Sequence, residues 1–169
     1  DITYDYGRYG LKWGVGGTEG EGMLNIWTDF NKYISSENSY GRVTKGYYFR
    51  VRKNAADQTV KHFDNKIKNK SPIRDIGIMK RYRIEDYHAL KTNCTTISVD
   101  GALTALPFLM NGSDKYIEGY GLGLKEKLAA KAAGWPNRIF MPADLDNFLN
   151  SLCGDKAPYK TTTYGKGAK

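Results

Sequence analysis

The sequence predicts an α+β fold, an antiparallel sheet packed against helices, and three observations carry that prediction. Residues 2–6 and 42–51 alternate apolar and polar side chains with the period of half-buried strands. Two other segments carry apolar residues at helical spacing: Ala56, Val60, Phe63 and Ile67, then Leu145, Phe148, Leu149 and Leu152. The chain of 169 residues has the length of one domain with a core of its own, and no segment repeats.

In chain order, Ile2-Thr3-Tyr4-Asp5-Tyr6 forms the first strand, and Gly7-Arg8-Tyr9-Gly10 is expected to turn it. Gly14, Gly16, Gly17, Gly20 and Gly22 crowd the next stretch. It lacks the lysine and the serine or threonine of a phosphate-binding loop, so a flexible loop is expected. Met23 to Trp27 reads as a short strand and Asp29 to Ser36 as a brief helix. From Arg42 to Val51, the residues Val43, Lys45, Tyr47, Phe49 and Val51 share one strand face. Asn54 caps a helix running to about Lys68, with His62 off its apolar stripe and expected at the solvated surface.

Ser71-Pro72 ends that helix, and Arg81 to Lys91 is strand-like. Asn93 or Thr92 suits the N-cap of a helix opening at Cys94. In it Cys94, Ile97, Gly101 and Ala105 make a narrow stripe that would let a sheet approach closely, and Pro107 ends it. Leu124 to Ala133 is a short helix stopped by Gly134 and Pro136. Pro142 opens the last helix, beside whose apolar face Cys153 is expected as a packing residue. The polar tail from about Lys156 is expected to fray.

Lysine and arginine number 26 against 18 aspartates and glutamates, a net charge of +8 that favours an anionic partner. Nucleic acid, anionic lipid and bacterial cell wall all qualify. The positive charges are scattered over residues 50–53, 66–70 and 160–169 with no nucleic-acid motif of fixed spacing, which disfavours nucleic acid. No signal peptide is visible, and no apolar run approaches the roughly 20 residues of a membrane span, so no stable membrane insertion is expected. Two cysteines and two histidines at these spacings match no zinc-finger pattern, and neither a metal nor a cofactor is expected.

Chemistry concentrates in Tyr87-His88-Ala89-Leu90-Lys91-Thr92-Asn93-Cys94-Thr95-Thr96, a strand end, a turn and a cysteine opening a helix. At a helix start a thiol meets free N–H groups and the positive end of the helix dipole, which favour the nucleophilic thiolate. The backbone N–H groups of Cys94 and Thr95 are natural donors to an oxyanion. His88, six residues upstream, is the candidate base, with Asp86 and Asp100 as available carboxylates. A competing account makes Cys94 a small core residue in the first turn of its helix. A Cys94–Cys153 disulfide in an oxidising compartment would also remove the nucleophile.

The same run resembles the strand, Asn-Cys, helix motif of circularly permuted papain-like proteins, a group that includes the permuted NlpC-type peptidases and the lecithin:retinol acyltransferase-like enzymes. Tyr4-Asp5-Tyr6-Gly7-Arg8-Tyr9-Gly10, Glu19-Gly20-Glu21-Gly22-Met23-Leu24 and Pro142-Ala143-Asp144-Leu145 are similar to toxin domains at the C-termini of Rhs-type and type VI secretion effectors. The resemblance implies a permuted papain-like fold with Cys94 as nucleophile, and a histidine on an early strand facing it. This sequence has no histidine before His62. Three expectations follow: a histidine strand ahead of Asp1, His88 in its place, or an inactive domain.

Together these point to a cysteine amidase or peptidase acting on an amide bond of bacterial peptidoglycan. The expected setting is a secreted antibacterial effector that works in the periplasm of a target cell and is paired with an immunity protein. A lipid or ester acyl hydrolase or transferase of the same fold is the first alternative, and a basic binding module without chemistry is the second.

Overall fold

The computed structural model describes residues 1–166; the last part of the basic tail, residues 167–169, lies outside the described residues. The elements run β1 (Thr3–Trp13), β2 (Glu19–Trp27), α1 (Phe30–Ser39), β3 (Thr44–Tyr48), α2 (Lys53–Ile67), β4 (Arg74–Asp75), β5 (Met79–Arg83), β6 (Tyr87–His88), α3 (Cys94–Ala105), α4 (Leu124–Ala132), α5 (Pro142–Ser151) and β7 (Lys160–Tyr164). The main sheet has the order β1-β2-β5-β4, with β6 added to the free end of β2, and every pairing is antiparallel. β3 and β7 form a separate antiparallel ribbon. The coarse expectation of antiparallel sheets packed against helices is therefore met.

The first strand does not turn at Gly7-Arg8-Tyr9-Gly10; it runs on to Trp13 with a register shift between Arg8 and Lys12. These glycines serve close approach instead. A Cβ on Gly10 would lie 2.1 Å from Glu21 Oε2, and one on Gly7 would lie 2.8 Å from the Tyr9 ring. The reversal falls at Gly14 to Gly17, where Gly14, Gly16 and Gly17 have φ of 77°, 65° and 67°, conformations that favour glycine. Only that part of the glycine-dense stretch is loop, because β2 begins at Glu19.

Two other boundaries move for reasons of pairing. The strand expected over Arg42 to Val51 is confined to Thr44–Tyr48, the length over which β7 pairs with it. The tail expected to fray from Lys156 thus supplies β7, and the Tyr48 and Tyr164 hydroxyls are hydrogen-bonded to each other. The strand expected over Arg81 to Lys91 splits into β5 and β6.

Strand alternation divides the main sheet into two unlike faces. Tyr4, Tyr6, Leu24, Ile26, Ile84 and Tyr87 face α2 and α3, packing with Phe63 and Ile97. Asp5, Asn25 and Arg81 occupy the intervening positions and point to the far face, where Trp27 packs against Tyr33 of α1. A second core lies beyond, formed by Leu109, Ile139, Phe148 and Leu149, with Tyr47 and Phe49 against it. Within α3 the narrow stripe meets both the sheet and a helix: Ile97 packs with Tyr6 and Leu24, and a Cβ on Gly101 would fall 2.5 Å from the Phe63 ring of α2.

Candidate active site

Cys94 is the first residue of α3, and Asn93 is its N-cap. The cap is reciprocal. Asn93 Oδ1 accepts from Thr96 N–H at 3.0 Å, and Thr96 Oγ1 accepts from Asn93 N–H at 3.0 Å. Asn93 Nδ2 also donates to the carbonyls of Ala89 at 2.7 Å and Phe140 at 3.0 Å, so one buried side chain ties the 89–92 turn, the helix start and the segment before α5 together. The cap and the two carbonyl bonds contribute about 3 kcal/mol in sum, at roughly 1 kcal/mol each. Their effect is to hold the N–H groups of Cys94 and Thr95 at a fixed helix end. Those two groups precede the first bonded i→i−4 donor, the Ile97 N–H that reaches the Asn93 carbonyl, and neither makes a hydrogen bond to a side chain or loop among the described residues.

Cys94 is an exposed free thiol, which removes the account of it as a core residue, and Thr95 beside it is buried. Cys153 is also free and exposed, so it is neither a disulfide partner of Cys94 nor the packing residue expected. Cys94 opens into a groove of about 600 Å³ between the start of α3, β3 and α5. Thr95 and Ser98 line it from α3, Tyr33 from α1, and Lys45, Tyr47 and Asp146 from the opposite wall.

That wall is electrostatically set. Lys45 Nζ pairs with Asp146 Oδ1 at 2.8 Å and donates to Asn150 Oδ1 at 3.3 Å, while the Tyr47 hydroxyl donates to Asp146. The bond to Asp146, then the one to Tyr47, pushes the Lys45 ammonium above its ordinary range and keeps it cationic. Burial pushes Asp146 up, but hydrogen bonds from Lys45 and Tyr47 outweigh it and hold the carboxyl below its ordinary range. Burial raises Tyr6, Tyr33 and Tyr87, with Glu85 adding to the shift of Tyr6 and Asp5 and Glu37 to that of Tyr33, so all three stay phenols. They are hydrogen-bond donors in the neutral pH range, not bases.

Neither imidazole reaches this groove. Tyr87 stacks on Tyr6 on the helix face, so the next residue, His88, points to the far face beside its cross-strand neighbour Glu19. Its Nδ1 accepts from Leu90 N–H at 3.1 Å and its Nε2 lies 3.8 Å from Glu19 Oε1. His62 is half-buried on α2 rather than solvated. Its ring meets Phe63 edge-on at 5.1 Å, and its Nε2 is buried with no partner among the described residues. Asp100 pairs with Arg138 at 2.7 Å, and Asp86 with Arg83 at 3.4 Å.

The structure thus joins Cys94, Asn93 and Thr95 and leaves His88 on the other side of the sheet. Lys45, Asp146 and Tyr33 were not singled out by sequence. One signal was present: Lys45 is the only charged residue in the otherwise apolar row Val43, Tyr47, Phe49, Val51. Among the described residues no three His, Cys, Asp or Glu side chains group as a metal ion requires, and no helix is long and apolar enough to cross a membrane. No family model matches the chain, and no curated protein or solved structure is significantly similar to it.

Proposed function

We propose that the protein is a cysteine-dependent acyl hydrolase that cleaves an amide bond, with Cys94 as its nucleophile. The observation that carries this is an exposed thiol on the first residue of a capped helix, opening into a groove and flanked by two N–H groups free to receive an oxyanion. The sulfur adds to the carbonyl carbon while the N–H groups of Cys94 and Thr95 hold the developing oxyanion. The C–N bond then breaks, the amine leaves with a proton, and water hydrolyses the thioester to return the thiol. The paired Lys45 and Asp146 offer the substrate a donor and an acceptor on the groove wall.

The substrate class that the charge of +8 and the resemblance favour is the stem peptide of bacterial peptidoglycan. A secreted effector role with a dedicated immunity protein belongs to the same proposal. Because His88 faces away in this conformation, the Cys94 proton passes to solvent, and solvent supplies the proton that leaves with the amine.

The test is Cys94→Ala, assayed on purified peptidoglycan by release of new amino groups and by separation of the muropeptides. The wild type is expected to cleave and the variant to fall to background with unchanged circular dichroism. Equal activity of the two proteins would overturn the assignment.

A further inference from the structure

The far face of the sheet carries a polar row that the Cys94 groove does not use. Register sets Asp5 opposite Asn25, Asn25 opposite Arg81 and Arg81 opposite Arg74, one position in each of four adjacent strands. Asp5 Oδ2 accepts from the Tyr9 hydroxyl and from Asn25 Nδ2, both at 2.8 Å, and Arg81 Nε donates to Asn25 Oδ1 at 2.7 Å. The Arg81 guanidinium lies 4.5 Å over the Tyr9 ring. Asn25, at the centre of the row, is 1% exposed. The row floors a cleft of about 210 Å³, walled by Trp27 and Met79 of the sheet, by Glu37 of α1 and by Tyr40, which follows that helix.

Two arginines of this cleft have no carboxylate partner among the described residues, although Asp5 and Glu37 line it. One register step along the same strand pair, Asp75 faces Lys80 and the two are 3.5 Å apart. Arg74 and Arg81 instead place like charges directly opposite each other, an arrangement that is unfavourable across strands. Neither guanidinium makes an ion pair among the described residues. The indole N–H of Trp27, on the cleft wall, is buried and has no hydrogen-bond partner among the described residues.

We propose that this cleft binds a small organic monocarboxylate. The carboxylate sits between Arg74 and Arg81, whose planar forks match its geometry, and the apolar body lies against Trp27, Met79 and Ile76. Asp5 and Glu37 also line the cleft and balance the two arginines, so a single negative charge is accommodated where a phosphate dianion would meet repulsion. The site is on the opposite face from α3, and no residue lines both it and the Cys94 groove.

The experiment titrates the full chain with N-acetylleucine, with its uncharged amide and with inorganic phosphate, reading heat of binding and the NMR shift of the Trp27 indole N–H. N-acetylleucine is expected to saturate and to move that resonance, and the amide to bind about tenfold more weakly. Arg81→Gln and Arg74→Gln are each expected to weaken binding about tenfold, the loss of one charge-assisted bond. Arg74 is exposed on a two-residue edge strand, so its variant decides the matter if the other fails to fold. Cys94→Ala, which ends the proposed hydrolysis, leaves this binding intact, so the two proposals fail separately. Absence of N-acetylleucine binding, equal binding of the amide, or tighter binding of phosphate would each overturn the assignment.

Discussion

The two faces of the main sheet solve the same problem with opposite chemistry. On the helix face, aromatic and aliphatic residues of β1, β2 and β6 bury against α2 and α3, and the Cys94 thiol stands at the end of a helix laid on them. On the far face, a row of hydrogen-bonded polar side chains holds its own geometry, and among the described residues it leaves two guanidiniums without an ion pair and the Trp27 indole N–H without an acceptor. Packing positions the thiol, and hydrogen bonding positions the row. Adjacent residues of one strand serve both, as Tyr4, Asp5 and Tyr6 show, so a substitution at one position acts on one face and spares the other.

The largest effect is expected from disturbing the helix face at Gly22. A Cβ there would lie 1.9 Å from the Glu85 carbonyl oxygen and 2.0 Å from the Tyr6 hydroxyl. That hydroxyl donates to the same carbonyl at 3.1 Å, so neither can move aside without breaking the bond. Gly22→Ala is expected to cost about 3 kcal/mol, the upper end for overpacking, and to lower the urea midpoint accordingly. A variant as stable as the wild type would show that the helix face tolerates expansion and that the contrast between the faces is weaker than drawn.

How much of this was legible depended on where local signals coincide with tertiary ones. The α3 start was legible because Asn93 has a local reason to cap and Thr96 a local reason to return the bond. The last helix was legible from Pro142 and its apolar stripe. The extent of β1 was not: Gly7 and Gly10 carry turn signals, yet their role is to admit side chains of the strand itself and of a neighbour, and only pairing reveals that. β7 was hidden for the same reason, since a polar, threonine-rich tail becomes a strand only where β3 offers an edge. At the site, the proposed nucleophile and its cap could be read from ten consecutive residues. The opposite wall of Lys45 and Asp146 lies 101 positions apart in the chain, and no local pattern joins them.

A smaller effect, confined to the helix layer, comes from His62. Burial lowers its pKa from the model-peptide value of 6.5, with Lys66 adding to the shift. The folded state therefore binds the proton less readily than the unfolded chain. Stability contributed by the neutral ring is fully present above about pH 6.5 and is lost as the pH falls through the lowered folded value. Chemical denaturation from pH 7.5 down to 5 should show a decline in which His62→Gln takes less part. Parallel curves for the two proteins would place the proton linkage elsewhere.

The smallest effect is expected from His88→Ala, and it bears most directly on the division between the faces. Chain proximity argues for His88 as the base of Cys94, since only five residues separate them. Alternation argues against it, because Tyr87 takes the position on the helix side and turns His88 toward Glu19. The ring is further held by the Leu90 N–H at Nδ1, within the turn that Asn93 pins through the Ala89 carbonyl. Reaching the thiol would require that turn to open and the cap of α3 to lose a bond with it. Peptidoglycan cleavage by His88→Ala is therefore expected within about twofold of wild type, the range of an ordinary surface substitution. A fall to the level of Cys94→Ala, with the fold intact, would mean that the turn rearranges during catalysis and that the sheet does not keep its two faces apart.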